Sequence, residues 1–258
     1  PAQAAPGAAP DPPPDAIPED LPPPERGTFL TVPIGLGESL AFVWVESLGI
    51  WIGKHELTNR QYRRFKRNHD SGTYEGLTLD RPTQPAVRVS WTDARAYCDW
   101  LNEHFRNRLP EGMVFRLPTD REWTIIASCG GGRRYPWGND WPPRFGNYSD
   151  TAARKALSDW RGITGYNDGH PVSCPVADSG MNEWGVYGLG GNVWEWTRNW
   201  YGDDERFRSR RGGSWDFDTR PSLEVTYRGF DRPDARYKTI GCRIAVADAP
   251  APAVMTSD

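Results

Sequence analysis

Residues 190–201 read GGNVWEWTRNWY, in which two glycines and an asparagine lead into closely spaced tryptophans. Large aromatic side chains that alternate with polar ones are typical of a short, half-buried strand. Two later runs, RRGGSWDF (210–217) and IGCRIAVA (240–247), have a similar character. Because glycine-rich stretches separate these runs, the C-terminal third is predicted to be short strands joined by loops.

The N-terminal half is predicted to open with a hairpin and one further strand. FLTVPIGL (29–36) and LAFVWV (40–45) are apolar runs on either side of Gly37, Glu38 and Ser39, which favour a turn. The run GIWIGK (49–54) has the composition of another short strand.

Two helix starts are marked by paired side chains. Thr58 stands three residues before Gln61, and Thr119 stands three residues before Glu122. A threonine followed at that spacing by a glutamine or glutamate predicts a capping box, in which each side chain bonds the other residue's backbone N–H.

The run SWTDARAYCDWLNEHF (90–105) is predicted to form the longest helix, with Cys98 facing the core. Its apolar side chains recur every three or four residues, as on one helix face. The stretch from residue 128 to about residue 185 is rich in turn residues, which predicts loops. Together these elements predict one α+β domain over residues 27–247, followed by a tail at 248–258.

Composition limits the classes of function. The 258 residues include 13 tryptophans, so a few large flat side chains are expected to build much of the core. A net charge of −3 argues against nucleic acid as a bulk electrostatic partner. No apolar run approaches the roughly 18 residues of a membrane-spanning helix, so no transmembrane segment is expected.

Residues 1–26 form a proline-rich segment with five acidic side chains. Such a composition cannot bury enough surface to fold alone and favours an extended polyproline arm. We expect the arm to hold other protein chains. The first residue is not methionine, which is consistent with a removed signal peptide or with a trimmed sequence. On the first interpretation we expect an exported, periplasmic or extracellular bacterial protein.

Four cysteines are present, at positions 98, 129, 174 and 242. No C-x-x-C pair occurs, which argues against a zinc knuckle or a thioredoxin-type site. Four cysteines allow three disulfide pairings, and the alternative is four reduced, buried thiols.

Seven runs, in this order, resemble the formylglycine-generating enzyme and sulfatase-modifying factor family. They lie within residues 49–246 and read GIWIGKHELTNRQYRRF, VSWTDARAYCDWLN, RLPTDREW, YPWGND, GGNVWEWTRNWY, RRGGSWDF and IGCRIA. The resemblance implies a C-type-lectin-like fold, with two or three helices packed on small twisted antiparallel sheets and long loops.

Within that family, copper-dependent oxidases bind Cu(I) through two cysteines after the R-G-G-S run. Aligned on RGGSW, those positions hold Phe217 and Ser222 here. Cu(I) prefers soft thiolate ligands, so formylglycine generation with copper is not expected and no copper is predicted. The family's iron-dependent sulfoxide synthases add a histidine-rich helical domain, which four scattered histidines do not provide.

Asp216 and Asp218 offer one alternative chemistry. Residues two apart on a strand share a face, so the two carboxylates could form an acid/base pair in one cleft. The alternative is that they cap turns or pair with nearby arginines, and on that interpretation the chain has no catalytic residue.

The resemblance also implies structural calcium, which prefers carboxylate, amide and carbonyl oxygens. Two loops match the family's calcium loops. The first set of ligands is Asn147, the Tyr148 carbonyl, Asp168 and the His170 carbonyl. The second is Asn182 with the carbonyls of Glu183, Gly185 and Tyr187.

The family's disulfide joins the A-Y-C-x-W run to the final strand. Here Cys98 has the first place, and Cys242 lies two residues before the usual second place, on the same strand face. A Cys98–Cys242 bridge is therefore implied, whereas Cys129 lacks its usual partner and Cys174 is a substitute candidate.

Three functions are consistent with the sequence. The first is a non-catalytic, calcium-stabilised, exported binding or assembly subunit. The second is a copper-independent enzyme of this family acting on a peptide or a peptide-derived metabolite, and the third is a ligand-displaying protein diversified by a retroelement. The expected pocket and binding residues are Trp215, Phe217, Arg220, Ser222, Arg228 and Arg232.

Overall fold

The computed structural model describes residues 25–157, 159–203 and 205–249. Most of the predicted arm, residues 1–24, and most of the predicted tail, residues 250–258, lie outside this part of the chain. The strands are β1 (Leu30–Gly35), β2 (Glu38–Val45), β3 (Ile50–Gly53), β4 (Thr73–Tyr74), β5 (Leu77–Thr78), β6 (Met113–Arg116), β7 (Trp194–Trp200), β8 (Arg208–Arg211), β9 (Gly229–Asp231), β10 (Ile240–Cys242) and β11 (Ala245–Asp248). The α-helices are α1 (Asn59–Tyr62), α2 (Trp91–Phe105), α3 (Asp120–Ala127) and α4 (Thr151–Ala156), and residues Arg106–Arg108 and Arg220–Leu223 form 3-10 turns.

Two main sheets organise the domain, which is α+β as predicted. One has five strands in the order β1-β2-β3-β11-β6, the other has four in the order β10-β7-β8-β9, and β4 with β5 forms a small hairpin. The five-stranded sheet is antiparallel throughout. In the four-stranded sheet β10 lies parallel to β7, which differs from the expected antiparallel pairing.

The predicted helix starts are confirmed. Thr58 and Gln61 form a complete capping box at α1, and so do Thr119 and Glu122 at α3. On α2 the predicted apolar stripe, Cys98 included, is buried. These agreements are local, since a capping side chain and its backbone partner lie within one helical turn.

In four segments the structure differs from the predicted elements or adds detail to them. The first hairpin turns at Leu36 and Gly37, so Glu38 already begins β2. The run IGCRIAVA is two strands in different sheets, because the chain leaves β10 after Cys242 and pairs again from Ala245. Strand β8 ends at Arg211, so most of RRGGSWDF is not a strand. The region 128–185 also contains α4, whose N-cap Asp150 accepts the N–H groups of Ala152 and Ala153.

Tryptophans fill both sides of the five-stranded sheet, as the composition indicated. Trp51, Trp194 and Trp196 are buried in the largest apolar cluster, which packs between this sheet and α2. Trp123 of α3 belongs to a second cluster on β2 and β3. Among the described residues no helix combines the length and the apolar character needed to cross a bilayer.

Candidate functional site

The segment after β8 is shaped by two glycines with positive φ, Gly212 at +100° and Gly213 at +75°. A Cβ at residue 212 would lie 3.2 Å from the Trp123 ring, and one at residue 213 would lie 3.1 Å from Leu223. Both positions therefore favour glycine for backbone conformation and for close packing. The turn delivers Trp215 into the core, where its ring stacks on Trp160 with centroids 5.3 Å apart.

Phe217 and Ser222, at the positions of the copper cysteines, are both held by their own chain. The Phe217 ring meets the Trp194 ring edge-on, with centroids 5.2 Å apart, and is half-buried against the core. The buried Ser222 hydroxyl donates to the Thr219 carbonyl at 2.8 Å. An aromatic ring and a hydroxyl that already has an acceptor form a packed corner that lacks the soft ligands of Cu(I).

Asp216 and Asp218 do not share a strand face, because Asp216 lies in the turn that follows β8. The Ser214 hydroxyl donates to the Asp216 carboxylate. Burial raises the pKa of Asp216, and the nearby Lys238 and Arg210 oppose that rise. The Lys238 ammonium lies 3.1 Å from the centroid of the Tyr74 ring. Asp216 thus has a hydroxyl donor and nearby cations instead of a second carboxylate.

The predicted arginines have separate surroundings. Arg220 lies over the Trp141 ring, with its guanidinium carbon 5.0 Å from the centroid. Arg228 pairs with Asp120, which also accepts from Arg211 at 2.8 Å. Arg232 is exposed just after β9. Arg228 therefore also stabilises the fold, whereas Arg220 and Arg232 remain at the surface.

Exposed aromatic side chains lie around β9, which is an edge strand of the four-stranded sheet. Phe230 is 44% exposed, and its ring lies 4.3 Å from that of Tyr201 and 5.3 Å from that of Phe207. Tyr227 is 40% exposed and packs on Trp194. We call Tyr201, Phe207, Tyr227, Phe230 and Arg232 the β9 surface.

The first predicted calcium loop is brought together by the fold. Asp168 accepts the backbone N–H of Tyr148 at 2.9 Å and that of His170 at 2.8 Å. Burial raises the pKa of Asp168 to about 7. Asn147 is buried, and no donor within the described residues reaches its Oδ1. A half-buried carboxylate and an amide oxygen without a donor are ligands of the kind that a hard cation prefers.

The second predicted loop fits a metal less well. The Asn182 Oδ1 accepts the N–H groups of Trp184 and Val186, each at 3.1 Å. The Tyr187 carbonyl accepts from the Arg243 guanidinium at 2.6 Å. Gly185 donates its N–H to the Asn182 carbonyl, so it closes the same turn. Two of the four proposed ligand oxygens thus already have partners in the chain.

The Glu183 carboxylate, next to that loop, pairs with Arg133 at 2.5 Å. This contact lowers the pKa of Glu183 to about 2. Across the described residues, no three His, Cys, Asp or Glu side chains are grouped so as to hold a metal ion. Calcium sites built largely from amide and carbonyl oxygens do not need such a group.

All four cysteines are free thiols, so the implied Cys98–Cys242 disulfide is absent from this structure. Both residues are buried in the main apolar cluster, where burial raises the pKa of each thiol. Cys174 lies beside the Asn192 amide, and Cys129 contacts Glu183, so these two have different neighbours. The buried thiols act as small apolar side chains.

The interior also contains an ion pair that sequence reasoning missed. Glu195 and Arg243 are both fully buried and joined at 2.6 Å. Glu195 also accepts the indole N–H of Trp123 at 2.9 Å, and Arg243 donates to the Gly53 carbonyl at 2.8 Å. The sequence does contain a signal for this pair, because Glu195 stands between Trp194 and Trp196 in a strand that is otherwise apolar there. A charged side chain at such a position is buried only when it has a partner.

These sheets and loops define a C-type-lectin-like fold of the sulfatase-modifying factor type. A solved structure titled Treponema denticola variable protein 1 superposes with a TM-score of 0.63 and 19% sequence identity, covering 84% of this chain and 98% of that one. At such identity the likeness shows the fold alone. The chain belongs to the family of the sulfatase-modifying factor enzyme 1-like domain, whose model matches residues 39–248.

Two similar proteins differ in whether their names describe an active or an inactive enzyme. The chain is 36% identical over 192 residues to the "inactive C-alpha-formylglycine-generating enzyme 2" of Bos taurus, covering 72% of this chain and 56% of that protein. It is 34% identical over 163 residues to the "formylglycine-generating enzyme" of Thermomonospora curvata, covering 61% and 44%. The chain thus spans about half the length of these relatives.

Proposed function

We propose that this chain is a non-catalytic, calcium-stabilised, exported binding or assembly subunit that holds partner proteins through its proline-rich arm. One observation carries the non-catalytic part. Where the family's oxidases place two copper-binding cysteines, Phe217 packs on Trp194 and the Ser222 hydroxyl bonds Thr219. The name of the bovine relative, which describes an inactive enzyme, supports the same conclusion.

The β9 surface supports a binding role. Its aromatic rings are partly exposed on a sheet edge, where Phe230 rests on Tyr201 and Phe207. Aromatic and arginine side chains on a rigid frame contribute much of the binding energy at protein interfaces. An edge strand also presents backbone groups that can pair with an extended partner segment.

Calcium would be held in this proposal by the loop of Asn147, Tyr148, Asp168 and His170. The amide oxygen of Asn147 and the carboxylate of Asp168 are the side-chain ligands. A bound ion would neutralise the half-buried Asp168 carboxylate and fix two loops that, among the described residues, no strand pairing joins. The calcium ion would thus stabilise the fold and would take no part in a reaction.

The arm contributes chemistry of its own to the proposal. Residues 1–26 contain five acidic side chains and many prolines, which suit an extended contact with a partner that carries cations. The proposed partners are other protein chains, and the proposed location is periplasmic or extracellular.

A native purification of the tagged full chain from its source tests the assembly role. We expect other chains to co-purify in fixed stoichiometry after a salt wash. A chain without residues 1–24 should lose them, whereas Phe230→Ala should weaken their retention if the β9 surface contributes. Elution of the full chain alone, with a bound small molecule or redox metal, would contradict the assembly role.

Asp216 is the observation that favours a second candidate, the copper-independent enzyme. Its half-buried carboxylate accepts from the Ser214 hydroxyl and lies near Lys238, an arrangement that can hold or transfer a proton. Incubation of the full chain with thiol-containing peptides and oxygen, followed by mass spectrometry, tests this candidate. Oxidation that Asp216→Asn abolishes and Asp178→Asn preserves would favour the enzyme, while unchanged peptides favour the binding subunit.

A further inference from the structure

A charged cleft lies beside α1 and the loop that follows it. Its volume is about 550 Å³. The lining contains twice as many cationic side chains as carboxylates, so an anion would be attracted into it. The charged lining residues are Lys66, Arg67, Arg88 and Arg236, with Asp70 and Asp93.

Both carboxylates of the cleft already have partners. Asp70 accepts the backbone N–H of Gly72 at 2.7 Å. Asp93 accepts from the Lys66 ammonium at 2.7 Å and from the Arg236 guanidinium at 2.8 Å. Asp93 therefore holds two cations at the cleft, each with about half of its side chain exposed.

Arg88 has a backbone conformation that arginine rarely adopts, with φ at +58°. Its N–H donates to the Tyr237 carbonyl at 2.9 Å, and its neighbours Val87 and Val89 are buried. These contacts impose the left-handed conformation and direct an exposed arginine to the cleft. A strained residue that the surrounding structure holds in place is a signal of function.

The Arg88 guanidinium is also positioned by packing. It lies against Gly72, where a Cβ would come within 2.6 Å of the guanidinium carbon. Within the described ranges no hydrogen bond or ion pair engages this guanidinium, so its fork of N–H donors is open. A fixed, open guanidinium matches the two oxygens of a carboxylate or a phosphate.

We propose that this cleft binds the oxyanion of a small ligand, a phosphate or a carboxylate, with Arg88 as the two-pronged donor and Lys66 and Arg236 as flanking charges. The charged and polar lining disfavours an apolar ligand. No residue of the cleft lining belongs to the Phe217 corner or to the β9 surface.

Titration calorimetry of the full chain at fixed ionic strength, with inorganic phosphate and separately with succinate, tests the site. The decisive variant is Arg88→Gly, which removes the guanidinium and places glycine where φ is positive, so the fold should be retained or stabilised. Loss of a charge-assisted donor pair should weaken binding about tenfold or more. Arg154→Gln, an exposed arginine on α4 outside the cleft, should change affinity less than twofold.

Each outcome decides the proposal. Binding of phosphate alone or of succinate alone supports the site and identifies its preferred oxyanion. Equal weakening by Arg88→Gly and Arg154→Gln would mean diffuse charge attraction and would overturn it. So would unchanged affinity in a folded Arg88→Gly protein, or absence of binding of both probes to the wild-type chain.

Discussion

Two buried polar regions of this protein differ in how many of their donor and acceptor atoms have hydrogen-bond partners. Around Glu195 and Arg243, the carboxylate receives the guanidinium and an indole N–H, and the guanidinium reaches two carbonyls. Around Asn192, the amide donates to one Glu56 oxygen at 3.0 Å. The other Glu56 oxygen and the Asn147 Oδ1 have no donor among the described residues.

The difference separates what holds the fold from what is available to a ligand. A fully bonded buried pair costs much to break, because the remaining partner becomes an uncompensated charge. A buried acceptor without a donor costs free energy until a proton, a water molecule or a cation meets it. We therefore expect the first region to dominate stability and the second to respond to pH and to calcium.

The largest loss of stability is expected from Glu195→Ala, which breaks the buried ion pair with Arg243. Because Arg243 would stay buried without its counterion, the free energy of unfolding should fall by about 3–5 kcal/mol, measured by urea denaturation. Glu103→Ala on the exposed face of α2 should change it by less than about 0.5 kcal/mol. Equal effects of the two changes would contradict the comparison, and Glu195→Gln provides a milder variant if Glu195→Ala fails to fold.

The next effect concerns pH at Glu56. Burial raises the pKa of Glu56 to about 8 from 4.5, so the folded protein binds a proton that the unfolded chain releases between these values. Stability from this group is therefore lost as pH rises, by about 1.4 kcal/mol per pH unit. Relative to the wild type, Glu56→Gln should gain about 3 kcal/mol between pH 5.5 and pH 8. Parallel urea-unfolding profiles of the two proteins would show that Glu56 does not titrate in this range.

Calcium should stabilise the second region, where the Asn147 Oδ1 has no donor among the described residues. At a calcium concentration one hundred times the Kd, binding to the folded state should raise the free energy of unfolding by about 2.7 kcal/mol. Thermal unfolding with calcium and with a chelator measures this gain. Asp168→Asn should lose it, and the exposed Asp178→Asn should retain it. A gain that persists in Asp168→Asn would exclude the first loop as the site.

The smallest effect is expected at the capping box of α3, which is only half-buried. Thr119→Ala removes the acceptor of the Glu122 N–H and should cost about 1 kcal/mol by urea denaturation. Water can replace part of the lost bond here, unlike in the two buried regions. A loss as large as that of Glu195→Ala would remove the distinction between exposed and buried polar sites.

Local features were predictable from the sequence, while pairing between distant segments was not. The capping boxes at Thr58 and Thr119 involve residues three apart, and the α2 stripe follows from helical periodicity. The division of 240–247 between two sheets depends on β7 and β6, which lie far away in the chain. Nothing within those eight residues encodes that choice.

The residues of the candidate site likewise fall into those that the sequence predicts and those that it does not. Phe217 and Ser222 could be placed from the RGGSW run. The neighbours of Asp216 could not be predicted, since Lys238 is 22 residues away in sequence. The Arg88 cleft also escaped prediction, because exposed side chains leave no periodic pattern.

The sequence by itself determined the family, the helix starts and the replacement of the copper cysteines, because residue identity and short spacing carry that information. Only the tertiary structure decided that the four thiols stay separate, that Glu195 meets Arg243 and that Arg88 faces a cleft with Lys66 and Arg236. The physical reason is that burial and pairing depend on which segments meet in space. Those meetings are fixed by packing of the whole core.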